Sequence, residues 1–133
     1  MEYILRSFKR EDVAQVMDLV TSTFDTVTAD LWLWKYLRSP YFDESLVLVA
    51  ENEGKIVGCV HYLPRGLKIT KSLEVKGALG ADFAVHPDYR QRGIGSSILK
   101  FSRSSKVLEE KGVIVTYGFI NYNRANFYRR SID

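Results

Sequence analysis

Val85-His86-Pro87-Asp88-Tyr89-Arg90-Gln91-Arg92-Gly93-Ile94-Gly95 is the stretch on which the reading of this chain turns. Ala78 to Val85 is a β-type run and Pro87 stops it. From Ile94 to Lys111 the residues Ile94, Ile98, Phe101 and Leu108 form one apolar stripe, which predicts a single long helix ending at Gly112. A glycine-containing turn between a strand and a helix lets several backbone N–H groups converge on one spot, where the helix dipole adds partial positive charge. Gly93 and Gly95 let the backbone approach a ligand, and Arg90 and Arg92 set cations beside it. Phosphate or pyrophosphate suits such a nest; the plainer alternative is a turn whose glycines only relieve crowding at a helix start. No Gly-Lys-Ser/Thr follows, so this is not a nucleotide P-loop. The third glycine and the early βαβ position of a dinucleotide fingerprint are also missing.

Outward from this stretch the elements fall in a definite order. Tyr3 to Phe8 reads as a strand, and Val13, Val16, Met17, Val20 and Phe24 lie at helical spacing behind Glu11 and Asp12. A second helix is predicted from Ala29 to Arg38, with Thr28 as N-cap and Pro40 as its stop. Leu46 to Ala50 and Ile56 to Tyr62 flank Glu51-Asn52-Glu53-Gly54, a strong hairpin signal. Leu67 to Thr70 and Leu73 to Lys76 predict a smaller hairpin. Val113 to Phe119 reads as a strand and Asn123 to Arg130 as a short final helix. The order β-α-α-β-β-β-α-β-α predicts one mixed α/β (α+β) domain over residues 1–133.

Composition agrees with one globular domain: 133 residues, 46% hydrophobic and 26% charged. A net charge of +3 favours anionic ligands in general. Cys59 is the one cysteine and sits in an apolar run, so it reads as a core residue of a protein from a reducing compartment. The N-terminal residues do not have the build of a signal peptide, and no apolar run approaches the length of a membrane span, so a cytoplasmic protein without membrane contact is expected. Neither His61 nor His86 has a second ligand at metal spacing, and no metal is expected. Arg65, Lys68, Lys71, Lys76 and the basic final helix with Tyr122 and Phe127 are spread out and framed by no nucleic-acid motif, which disfavours that class of partner.

Arg90-Gln91-Arg92-Gly93-Ile94-Gly95 resembles the Arg/Gln-x-x-Gly-x-Gly/Ala signature of GNAT acyltransferases, and Val85 to Tyr89 looks like the lead into it. The resemblance covers most of the chain, through the opening strand and helices, the Leu46 to Tyr62 hairpin, and Asn121 with Tyr128. It implies a central, mostly antiparallel sheet flanked by helices, acetyl-CoA as cosubstrate, and an amine acceptor. It further implies that Arg90, Gln91, Arg92, Gly93, Ile94, Gly95 and Ser96 form the site for the CoA pyrophosphate. The strand before that loop is implied to bulge and splay from its neighbour, so that pantetheine meets the main chain of Phe83 and Val85. Asn121 followed seven residues later by Tyr128 matches the family's pair, which implies Tyr128 as the acid for the departing thiolate and Asn121 as a cofactor contact. A tyrosine hydroxyl can do this while protonated at neutral pH; a tyrosine packed beside Phe127 is the other reading.

An amine acceptor must lose a proton before it attacks, and Asp82, on an otherwise apolar strand, is the first residue to consider as base. A structural hydrogen bond accounts for it equally well. Glu51, Glu74 and His61 are the alternatives from neighbouring strands. Trp32, Trp34, Tyr36, Tyr41 and Phe42 either shape an acceptor groove or pack in the core. In the family two strands follow the last tyrosine, whereas here six residues from Tyr128 end the sequence. An exposed sheet edge, with a homodimer or a truncated chain as its explanation, is the expectation. Two functions follow: N-acetyl transfer from acetyl-CoA to a primary amine of a small molecule or peptide by direct attack, or a non-catalytic acyl-CoA-binding sensor or interaction module.

Overall fold

The computed structural model describes residues 2–119 and residue 129. β1 (Ile4–Ser7) leads through a 3-10 turn (Arg10–Asp12) into α1 (Val13–Thr23) and α2 (Ala29–Lys35). A second 3-10 turn (Glu44–Leu46) opens β2 (Val47–Asn52), followed by β3 (Lys55–Lys68) and β4 (Glu74–Val85). After a third 3-10 turn (Pro87–Tyr89) come α3 (Ile94–Ser104), α4 (Val107–Glu110) and β5 (Val115–Tyr117). The sheet runs in the order β1-β2-β3-β4-β5, antiparallel from β1 to β4, with β5 parallel to β4. This is the mixed, mostly antiparallel sheet that the sequence predicts.

Helices cover both faces of the sheet, which is why its central strands read as nearly continuous apolar runs. On one face Val16, Leu19 and Val20 of α1 and Trp32 and Tyr36 pack against Val47, Val49, Cys59, Leu63 and Ala84. On the other, Ile94 and Ile98 of α3 and Leu108 pack against Leu48, Ala50, Val60, Tyr62 and Phe83. Cys59 is buried as expected. Thr28 caps α2 by accepting from the Leu31 N–H at 3.1 Å, and Glu53 (φ 48°) with Gly54 (φ 80°) makes the two-residue hairpin turn whose left-handed conformation suits the strand twist. The Arg6 guanidinium ties β1 to its neighbours, bonding Asp12 at 2.7 and 2.9 Å and Glu51 at 2.7 Å.

Three element boundaries depart from the sequence reading. α2 ends at Lys35, three residues short of Arg38, because Tyr36 leaves helical geometry at φ −112°, ψ −81°. The long helix is in fact two: Lys106 adopts φ 61° and breaks it between Ser104 and Val107. The small hairpin is the far end of one long arm, since β3 and β4 stay paired from Gly58↔Val85 to Lys68↔Glu74. Pro64 lies inside β3 without disrupting it because β2 pairs β3 only as far as His61, leaving β3 an edge strand there on that side. The expected final helix lies outside the described residues, apart from Arg129. Among the described residues no helix is long and apolar enough to cross a membrane.

Candidate functional site

β4 is regular until Asp82, where φ turns to 46° and the register with β3 shifts between His61↔Ala81 and Cys59↔Ala84. The result is a bulge of the kind that re-aims backbone groups. Beyond it His86 donates its N–H to Val57 O at 2.8 Å. By strand alternation Ala84 and His86 face β3, and the main-chain groups of Phe83 and Val85 face the opposite edge. β5 pairs with β4 at Gly77, Ala78 and Leu79, and the residues that this register would bring opposite Asp82 to Val85 lie outside the described residues. The bulge thus lies on the strand where the sequence resemblance implies it.

The chain then turns through His86 to Gly93. His86 Nδ1 accepts from the Asp88 N–H at 3.2 Å, and its ring packs on Tyr89 with centroids 5.6 Å apart. Gln91 (φ 61°) and Gly93 (φ 79°) both take left-handed backbone, which curls the loop, and Gly93 becomes the N-cap of α3. A Cβ at Gly93 would meet no atom within 4 Å, so glycine serves there for its backbone conformation rather than for space. The N–H groups of Ile94 and Gly95, the first of α3, have no partner within the helix by helix geometry. Arg92 and Lys55 lie over the Tyr89 ring at 5.4 and 5.5 Å, so two cations flank the loop. Arg90 is a strut, its Nε donating to Val85 O at 2.9 Å. Ile94 is buried under the sheet, while Arg90 to Gly93 are exposed and Gly95 and Ser96 are half-buried.

Asp82 meets α2. Its carboxylate accepts from Lys35 Nζ at 2.8 Å and from the Tyr36 hydroxyl. Burial works to raise the Asp82 pKa, but the hydrogen bonds from Lys35 and Tyr36 and the Lys35 charge outweigh it and hold the carboxyl below its ordinary range. Behind the bulge His61 is fully buried, stacked on Tyr36 with ring centroids 4.3 Å apart. Its Nε2 accepts from Trp32 Nε1 at 3.1 Å, and its Nδ1 lies 3.1 Å from Asp82 O. Burial pushes the Cys59 thiol up to about 12, which makes it inert. Burial likewise lowers His61 to about 4, against the pull of Asp82.

That last shift predicts acid sensitivity. Unfolded His61 titrates near its ordinary value of 6.5 and folded His61 near about 4, so in between the unfolded chain binds the extra proton. Stability is full above the upper value and falls as pH drops towards the lower, by on the order of 3 kcal/mol over the whole window. Asp82, also lowered, adds its loss only at more acid pH. Urea midpoints measured from pH 7 to pH 5 are expected to fall, and to flatten in His61→Gln; a flat parent profile would contradict the placement of His61.

Other residues raised by the sequence are dispersed. Glu51 is held by Arg6, and Glu74 begins β4, at the far end from the bulge. Trp32 and Tyr36 are core, Trp34 is exposed, and Tyr41 and Phe42 line an open cleft of about 530 Å³ with Arg10, Asp43, Glu44, Pro64 and Lys76. Asn121 and Tyr128 lie outside the described residues. The sequence reading missed the joint grip of Trp32, Lys35, Tyr36 and His61 on Asp82; its one visible signal was a histidine inside the apolar run Ile56 to Tyr62.

Fold and site together define a mixed α/β domain in which a bulged strand leads into an anion-suited loop and helix. A family model described as the acetyltransferase (GNAT) domain matches residues 43–131, and the chain belongs to that family. GNAT acetyltransferases transfer acetyl groups and use acetyl-CoA as donor. No curated protein matches the sequence. Many solved structures share the fold. Glucosamine-6-phosphate N-acetyltransferase from Arabidopsis thaliana is 14% identical with TM-score 0.70, over 100% of this chain and 92% of its own. An aminoglycoside acetyltransferase from an uncultured soil metagenomic sample, in complex with sisomicin, is 20% identical with TM-score 0.72, over 98% and 88%. A protein described as a predicted acetyltransferase, from Clostridium acetobutylicum with acetyl-CoA, is 12% identical with TM-score 0.74, over 97% and 88%.

Proposed function

We propose that this protein transfers the acetyl group of acetyl-CoA to a primary amine of a small molecule or peptide, by direct attack within a ternary complex. The observation that carries the proposal is the bulge at Asp82 on β4, which lies directly before the left-handed loop at Gln91 and Gly93. The residues fit the donor. The N–H groups of Gln91 to Gly95, with Arg92 and Lys55 beside them, suit a diphosphate. The main chain of Phe83 and Val85 suits an amide-bearing arm laid along that strand, with Ser96 and Asn121 as further contacts by resemblance.

Acetyl-CoA supplies a thioester whose acyl carbon is open to a nucleophile. Main-chain N–H groups at the bulge hold the carbonyl oxygen and stabilise the charge that develops on it. Asp82 draws in the acceptor's ammonium, exchanging Lys35 for it, and takes the proton that frees the nitrogen lone pair. As the C–N bond forms and the C–S bond breaks, the nitrogen sheds its second proton to solvent and the Tyr128 hydroxyl, a role given to it by resemblance, protonates the departing thiolate and is reprotonated from solvent in turn. No covalent intermediate with the protein is required.

One observation favours the second reading, a non-catalytic acyl-CoA-binding module: the Asp82 carboxylate is already neutralised by Lys35 and is a weak base. Thiol release separates the two. With acetyl-CoA and a panel of amino sugars, aminoglycosides, polyamines and lysine peptides, at least one amine is expected to release CoA well above background hydrolysis, with the acetylated product seen by mass. Saturable acetyl-CoA binding without transfer to any of them would instead favour the binding module.

A further inference from the structure

We propose that His61 is a positioning residue: its imidazole, held in the Nδ1–H form by the Trp32 indole, pins the carbonyl of Asp82 and so sets the backbone of the bulge. The geometry leaves one proton assignment. An indole N–H only donates, so the His61 Nε2 that faces Trp32 Nε1 at 3.1 Å is bare. A carbonyl only accepts, so the Nδ1 that faces Asp82 O at 3.1 Å carries the hydrogen. Two independent partners thus require the same tautomer of a neutral, fully buried ring.

The pinned residue is the one that needs it. Asp82 stands at φ 46°, left-handed backbone that aspartate takes more readily than most residues but still uncommonly, so contacts at both of its ends select it. α2 and its C-cap grip this residue at both ends: Lys35 and Tyr36 hold the carboxylate, and Trp32, through His61, holds the carbonyl. The Asp82 carbonyl belongs to the peptide whose N–H is that of Phe83, so a hydrogen bond at the carbonyl fixes the plane of the N–H that faces away from β3. The Cys59 thiol, 3.7 Å from the same carbonyl, adds a weak second donor. In catalysis, which is the part that rests on the proposed acetyl transfer, His61 touches no substrate and acts through this peptide.

The test uses the full chain labelled with ¹⁵N. Imidazole spectra of the parent are expected to show His61 protonated on Nδ1 with Nε2 bare across neutral pH; protonation on Nε2 would overturn the proposal. Two substitutions then divide the two bonds. The amide of His61→Asn sits where Nδ1 sits and keeps the donor to Asp82 O, whereas His61→Gln reaches the Nε2 position and keeps the acceptor for Trp32. Both leave one buried partner unpaired, so a merely structural role predicts equal effects. The proposal predicts that the amide resonances of Phe83 and Ala84 move in the Gln variant and stay in the Asn variant. It also predicts a kcat about tenfold to a hundredfold lower for Gln than for Asn, with matching KM and melting temperature, the scale expected of small misplacement at a reacting centre. Equal resonance shifts, or equal kcat, would overturn it. Should both variants fail to fold, the parent tautomer decides alone. Absence of acetyl transfer by the parent would sink the proposed function while the tautomer and resonance results still judge His61.

Discussion

A Gly93→Asp variant is expected to bind acetyl-CoA at least about a hundredfold more weakly than the parent, a loss of roughly 3 kcal/mol. Gly93 holds φ 79°, which aspartate tolerates better than most residues, and no atom lies within 4 Å of where its Cβ would stand. The fold therefore has no steric reason to change. The added carboxylate would sit at the N-terminus of α3, where the proposed diphosphate would meet it at close range. Two like charges about 4 Å apart near a protein surface repel by about 4 kcal/mol before salt screening. Gly93→Asn supplies the control, with similar backbone tolerance and no charge, and is expected to stay within about threefold of the parent. Calorimetric titration of both variants, with circular dichroism to confirm folding, separates the outcomes. Parental affinity in Gly93→Asp would mean that no diphosphate sits at this loop.

Asp82→Asn is expected to lower kcat about a hundredfold or more, in the range of a removed general base, while leaving acetyl-CoA affinity unchanged. Asparagine preserves the left-handed conformation and can still accept from the Tyr36 hydroxyl, so the bulge survives. It loses the charge that draws the ammonium and the lone pair that takes its proton. Lys35 is left as an uncompensated cation on the approach, which adds repulsion towards a cationic acceptor. Raising the pH, so that the amine arrives already neutral, is expected to restore part of the rate. A kcat equal to the parent's, measured with saturating acetyl-CoA, would reduce Asp82 to a structural anchor for α2 and remove it from the chemistry.

How much of this was legible beforehand depends on whether the information is local. The turn from Val85 to Gly95 could be read because proline, glycine and the apolar stripe of α3 punctuate it within eleven residues. The hairpin was readable for the same reason, although its connection was read as Glu51 to Gly54 and the strands in fact extend to leave only Glu53-Gly54 as the turn. The break at Lys106 was not, because the stripe continues through Leu108 and nothing in Ser104-Ser105-Lys106 demands a left-handed lysine. The single long β3 was not legible either: the reading separates a strand ending at Tyr62 from a small hairpin starting at Leu67, and what joins them is tertiary, since β4 pairs alongside throughout. The resemblance placed the bulge, but it gave no hint of what holds it. Trp32, His61 and Asp82 are separated by 29 and 21 residues and meet only through a side chain bonding a carbonyl, a contact no spacing rule encodes. The same contact explains why His61, one of three lesser alternatives to Asp82 as base, turns out to be buried, neutral and tied to Asp82 itself.

The account stands or falls most directly on isothermal titration of acetyl-CoA into the unmodified protein. It predicts saturable binding at one site per chain in the micromolar range, competed by free CoA. Absence of binding at millimolar ligand, from protein shown to be folded, would contradict it.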